Sequence, residues 1–194
     1  MSAQKRTHRI TVTAMLGAVA ALLQFLEFPL PFLVPTFVKM DFSELPALLA
    51  SFSLGPVYGV AVCLIKNCFK LLTTYSGGIG ELGNFLMGAA YALTAGVVYR
   101  RMKSRRGALL GSVLGSVAMA AVSVPVNYFI TYPVYTKLMP LDVIMDAYAA
   151  IRPGADGLLT CLVVFNAPFT LLKGILVAAL CFMIYKPLSP LLHR

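Results

Sequence analysis

The chain has 194 residues, of which 59% are hydrophobic and 12% charged, with a mean hydropathy of +0.85. That charged share is roughly half of what a soluble domain carries, which excludes an ordinary soluble fold and points to an all-α integral membrane protein forming one domain, residues 1–194. The net charge of +9 would suit a nucleic-acid partner, but the positions argue against one. Three clusters, Lys5/Arg6/Arg9, Arg100/Arg101/Lys103/Arg105/Arg106 and Lys186/Arg194, each flank a hydrophobic run, as cytoplasmic loops of membrane proteins do.

The first run, 10–28, follows basic residues as a signal peptide would, but no small-x-small cleavage site closes it, so it is read as a retained span. It holds two small-xxx-small pairs, Ala14/Ala18 and Gly17/Ala21, which serve either internal packing or an external helix. A proline-rich, greasy stretch from Pro29 to Pro35 follows, then Lys39-Met40-Asp41-Phe42-Ser43-Glu44. Phe32, Phe37, Lys39 and Asp41 are the candidate lid over a cavity, the alternative being a loop lying in the membrane interface. Ser43 or Asp41 is expected to cap the next helix.

Residues 43–54 and 57–74 are separated by Gly55-Pro56, and hydropathy allows either one kinked helix or two crossings. Two crossings place all three basic clusters on one side. The expectation is therefore six transmembrane helices, at 10–28, 43–54, 57–74, 81–99, 107–132 and 158–185, with both termini cytoplasmic. Between the last two lies a long outer loop, Pro133–Gly157, in which Leu141–Ile151 has the pattern of a small amphipathic helix.

Polar residues inside these runs form stripes. Lys66, Asn67, Lys70 and Thr74 share one face of the third span, and Glu81 and Asn84 open the fourth. The fifth carries Ser116, Ser123, Asn127 and Thr131 at helical spacing. The sixth carries Asn166, Thr170 and Lys173 at i, i+4, i+7, again one face. A lysine at mid-membrane depth costs about 2.5–3.5 kcal/mol on insertion scales, and a polar ligand is the expected compensation for Lys173. With six spans and the N-terminus inside, the stripes gather toward the outer half and describe a ligand pocket open to the extracellular side. The three asparagines have the alternative role of helix-to-helix hydrogen bonding, and Lys66 and Lys70 that of snorkelling to the surface.

The missing chemistry narrows the function. No Gly-x-x-x-x-Gly-Lys-Ser/Thr phosphate loop, catalytic triad or His-Glu-x-x-His pattern is present, and His8 and His193 lie near the termini. Cys63, Cys68, Cys161 and Cys181 fall in apolar runs at spacings that suit neither zinc nor disulfides. The chain is expected to be no enzyme, with no cofactor and no metal, and to bind something small and polyfunctional.

Several stretches together resemble the substrate-binding S components of energy-coupling factor (ECF) vitamin transporters of the riboflavin type. They are Lys39-Met40-Asp41-Phe42-Ser43 with Pro46-Ala47-Leu48, Gly55-Pro56, Ile65-Lys66-Asn67, Gly80-Glu81-Leu82-Gly83-Asn84-Phe85, Asn127-Tyr128-Phe129 with Pro133, and Pro168-Phe169-Thr170-Leu171-Leu172-Lys173-Gly174. The resemblance spans nearly the whole chain. It implies a prokaryotic plasma-membrane protein that binds riboflavin, or FMN, from outside as a transported ligand rather than a cofactor. The implied partners are a transmembrane T component, met through Ala14 and Ala18, and two ATPase subunits that hydrolyse ATP on separate chains. The implied ligand contacts are Asn127 and Lys173 on the flavin; Thr170, Asn166, Asn67, Glu81 and Asn84, from the polar stripes above, are the further candidate contacts. Where the family usually has Asn, this chain has Thr170, whose hydroxyl lacks the paired donor–acceptor face of an amide. Asn166, one turn away, is the expected compensation. The rival readings are an S component for another vitamin and a self-sufficient secondary transporter.

Overall fold

The computed structural model describes residues 3–74, 76–152, 154 and 157–192, with side chains as far as Ile184. The third basic cluster, Lys186 and Arg194, and with it His193, therefore falls outside the described side chains, as do three residues of the 133–157 connection.

Helix α1 (Ala3–Phe25) runs through the basic flank and the first apolar run without a break. The proline-rich stretch after it is closed at its base by a two-residue antiparallel ribbon, β1 (Phe28–Pro29) with β2 (Lys39–Met40), Phe28 opposite Met40. This ribbon is a small departure from the all-α expectation, and it gives the loop a fixed footing. Helix α2 (Glu44–Ser53) and helix α3 (Pro56–Lys70) are separate. Gly55 between them has φ +120°, a conformation that side chains disfavour, and Pro56 then starts α3 where its missing N–H is harmless. Ser43 sits at the cap position of α2 but does not cap it; its hydroxyl and backbone N–H both donate to Asp41 Oδ1.

Helix α4 (Ile79–Arg101) and helix α5 (Arg105–Val126) form a hairpin about the second basic cluster, with Ser104 Oγ capping α5 by accepting from the Gly107 N–H at 3.1 Å. The fifth helix does not stop near Tyr132. It passes through a π turn, Asn127–Thr131, into helix α6 (Tyr132–Leu138). Helix α7 (Leu141–Ala149) lies in the connection, close to the expected amphipathic segment. Helix α8 (Leu158–Cys161) leads through a second π turn, Leu162–Asn166, into helix α9 (Ala167–Leu192). Each π turn precedes a proline, although Pro125 stands inside α5 without one. A proline ring clashes with the carbonyl four residues earlier, and those carbonyls, Phe129 for Pro133 and Val164 for Pro168, lie inside the two widened turns.

Five helical stretches among the described residues are long and apolar enough to cross a bilayer: Ala3–Phe25, Pro56–Thr73, Ile79–Arg101, Arg105–Leu138 and Leu158–Ile184. Helix α2, with ten residues, rises about 15 Å, half the roughly 30 Å of a hydrocarbon core, so it does not meet that length by itself.

The end of the bundle near the 101–105 turn is held by small residues. A Cβ on Gly111 would lie 2.7 Å from the Ala95 carbonyl oxygen, and one on Gly96 2.9 Å from Pro56, so both backbones are in direct contact with a neighbour. Leu48, Leu49, Phe52, Tyr91, Ala95, Met119 and Val177 fill the core beside them. The two small-residue pairs of α1 divide. Gly17 and Ala21 are buried, Gly17 against Ile65 of α3, while Ala14 and Ala18 are exposed.

A candidate ligand-binding cavity

The opposite end of the bundle opens. Every long helix contributes there the end remote from the 101–105 turn: Gln24 from α1, Lys70 from α3, Glu81, Asn84 and Met87 from α4, Met119, Asn127 and Thr131 from α5 and its π turn, and Asn166, Phe169, Thr170 and Lys173 from the last helix. They enclose a cavity of about 490 Å³, within the range of small-molecule sites. Phe37, Val38 and Lys39 of the ribbon loop, with Leu138, Met139 and Ile144 of the α6–α7 connection, cover it from the other side.

Lys173 does not wait for a ligand to be compensated. Its Nζ lies 2.8 Å from Asp41 Oδ2 and 3.1 Å from Glu44 Oε2. Glu44 in turn receives Lys66 Nζ at 2.6 Å, and Lys66 also donates to Ser43 Oγ. Lys66 and Glu44 are fully buried. Lys66 therefore neither snorkels nor lines the cavity; it is a structural counter-charge. Two carboxylates and two ammonium groups cancel, so this end of the cavity has no net charge to offer an anion. A primary ammonium has three donors and Lys173 spends two internally, which leaves one for a ligand acceptor.

The remaining polar groups fall into three sets. Asn84, Asn127 and Thr170 line the cavity and make no side-chain hydrogen bond among the described residues. Glu81 accepts from Thr74 Oγ1 at 2.9 Å and Ser76 Oγ at 3.2 Å, so its carboxylate is held by hydroxyls rather than by a cation. At the mouth, Glu27 pairs with both Lys39 (2.8 Å) and Lys70 (3.1 Å), and Lys70 also sits over the Phe25 ring.

The family profile described as "ECF transporter, substrate-specific component" matches residues 8–185. The chain belongs to that family. A riboflavin transporter, RibU, of Staphylococcus aureus is 33% identical over 190 residues, covering 98% of this chain and 95% of the relative. A riboflavin transporter, FmnP, of Bacillus subtilis is 29% identical over 192 residues, covering 97% and 96%. A solved structure described as the S component of a bacterial ECF transporter superposes with a TM-score of 0.76 at 31% identity, covering 97% of this chain and 99% of that one.

Within this S component, the cavity gathers six of the seven residues that the sequence put forward as ligand contacts: Asn127, Lys173, Thr170, Asn166, Glu81 and Asn84. Asn67 is not among the lining residues. It is buried between α1 and α3, where its Oδ1 accepts from Gln24 Nε2 at 3.1 Å and its Nδ2 donates to the Cys63 carbonyl at 2.8 Å. Of the lid candidates, Phe37, Lys39 and Asp41 line the cavity, whereas Phe32 is 72% exposed and borders a separate groove with Arg152, Phe165 and Leu172. Sequence reasoning missed Gln24, Glu27, Tyr132 and Tyr135 in the wall and Glu44 behind it. Glu44, one carboxylate within an apolar run, was the signal that could have been followed, since a buried acid demands a cation.

Proposed function

We propose that this S component binds riboflavin, or its phosphate FMN, with high affinity from outside the cell and hands it on for uptake through a T component driven by two ATPase subunits on other chains. The observation that carries the ligand reading is the set Asn84, Asn127 and Thr170: amides and a hydroxyl with no side-chain hydrogen bond among the described residues, in a cavity that Phe37, Met87, Met119 and Phe169 also line. An isoalloxazine is flat and largely apolar, with carbonyls and an imide along one edge. It suits an apolar slot whose polar groups are amides and one spare ammonium donor. The neutrality of the Asp41/Glu44/Lys66/Lys173 cluster suits that uncharged edge. Glu81, Asn84 and Thr131 are the partners we assign to the ribityl hydroxyls. The names of the two bacterial relatives support the same ligand.

In this reading α2, extended by the turn ahead of it, serves as a short second crossing, giving six spans with both termini in the cytoplasm and the cavity facing outward. The ribbon loop with Phe37, Lys39 and Asp41 is the lid. The exposed Ala14/Ala18 face of α1 is where the T component docks. The protein performs no chemistry of its own.

Protein purified from a flavin-containing host should be yellow and should quench added riboflavin at one equivalent. A colourless protein that leaves riboflavin fluorescence unchanged overturns the ligand. Uptake into liposomes without ATPase partners overturns the coupling.

A further inference from the structure

We infer that Tyr148, which does not line the cavity, is a positioning residue that fixes the orientation of the Asn166 amide and so ties the outer helix α7 to ligand recognition; this rests on the flavin-binding reading above. Tyr148 lies in the connection between the last two long helices, away from the residues that the sequence stripes single out. Yet it is fully buried, and its hydroxyl donates to Asn166 Oδ1 at 2.7 Å. Because that proton is committed to Asn166, the short contact between the Tyr132 and Tyr148 hydroxyls runs with Tyr132 as donor. Asn166 Nδ2 lies 3.5 Å from Tyr132 Oη and closes the ring loosely. Three side chains from three elements, α6, α7 and the second π turn, thus form a directed cycle.

The cycle has a chemical consequence. An unconstrained amide can turn over and present either its oxygen or its nitrogen. Here the oxygen is occupied by Tyr148, so Asn166, which lines the cavity, offers an N–H donor there. Asn166 is thereby matched to a ligand acceptor such as a ring carbonyl, alongside the remaining donor of Lys173. Phe37 of the lid loop stands edge-on to both rings, 6.5 Å from Tyr132 and 6.1 Å from Tyr148, and Phe165 packs on Tyr148 at 5.4 Å. These contacts hold the phenol in place when its hydroxyl is removed.

The test is a double-mutant cycle on riboflavin affinity, read by fluorescence quenching of purified protein, using Tyr148→Phe, Asn166→Ala and the pair. Tyr148→Phe should weaken binding about fivefold in the wild-type background, the scale of one hydrogen bond, and should change nothing once Asn166 is alanine. Tyr132→Phe, which breaks the ring from its other side, is taken through the same cycle, so a folding failure of Tyr148→Phe does not decide the matter; as Tyr132 itself lines the cavity, only the part of its loss that vanishes once Asn166 is alanine counts for the ring. Equal losses in both backgrounds, or no loss in either, overturn the positioning role. Wild-type protein that binds no riboflavin overturns the ligand reading and this inference together; wild-type binding with an additive cycle overturns this inference alone.

Discussion

The two ends of this bundle are built from opposite materials. Near the 101–105 turn, backbones touch through glycine and alanine, and Gly96 and Gly111 leave no room for a methyl group. At the other end the same helices diverge around about 490 Å³ and are tied instead by charge, through Asp41, Glu44, Lys66 and Lys173. In a bilayer, where no hydrophobic force draws helices together, close van der Waals packing and buried polar links are the two available means. One makes a rigid base. The other borders the cavity, with Lys66 and Lys173 reaching from α3 and α9 to the acids at the start of α2.

Four experiments test that contrast. The largest effect is expected for Glu44→Gln, which strips one carboxylate from two buried lysines and should destabilise the ligand-free protein by about 3–5 kcal/mol, read as thermal melting in detergent. An unchanged melting temperature would mean the charge cluster does not hold the open end. Next, Lys173→Ala should weaken riboflavin binding by tenfold or more, since charge-assisted bonds are worth about 1.5–3 kcal/mol, while Lys70→Ala, at the partly solvated mouth, should cost less than about fivefold. The reverse order in quenching titrations would put the ligand at the mouth. Gly111→Ala should lower stability by about 1–3 kcal/mol through its clash with the Ala95 carbonyl, yet leave the affinity of the folded protein intact. Smallest of all, Ala14→Leu or Ala18→Leu should alter neither melting nor riboflavin affinity, both residues being exposed, while ATP-driven uptake in the assembled transporter falls. Loss of ligand affinity would make that face internal packing.

How much of this was legible in the sequence depends on the range of the interaction. Asn166, Thr170 and Lys173 could be placed on one face because helical periodicity is local, and all three do line the cavity. The Gly55-Pro56 break was legible for the same reason, as φ +120° and a first-turn proline are properties of neighbours. The partner of Lys173 was not, because Asp41 lies 132 residues away and only the fold brings them together. A ligand was expected where an ion pair stands. Asn67 misled in the converse way: its stripe is correct, but one face of a helix can meet another helix as readily as a cavity, and Gln24 of α1 occupies it. The continuation of the fifth helix beyond Tyr132 is masked by Pro133, which the helix accommodates just after a widened turn.

Those widened turns carry one more consequence. A π turn closes its hydrogen bonds across five residues instead of four, so each amounts to a single extra residue absorbed into an otherwise regular helix. Chain length at these two places can therefore change by one without rotating the helix on either side. Both lie in the wall of the cavity, at Asn127–Thr131 and Leu162–Asn166, and neither touches the close-packed end. The binding surface can be re-cut by adding or dropping a residue while the scaffold beneath it stays in register.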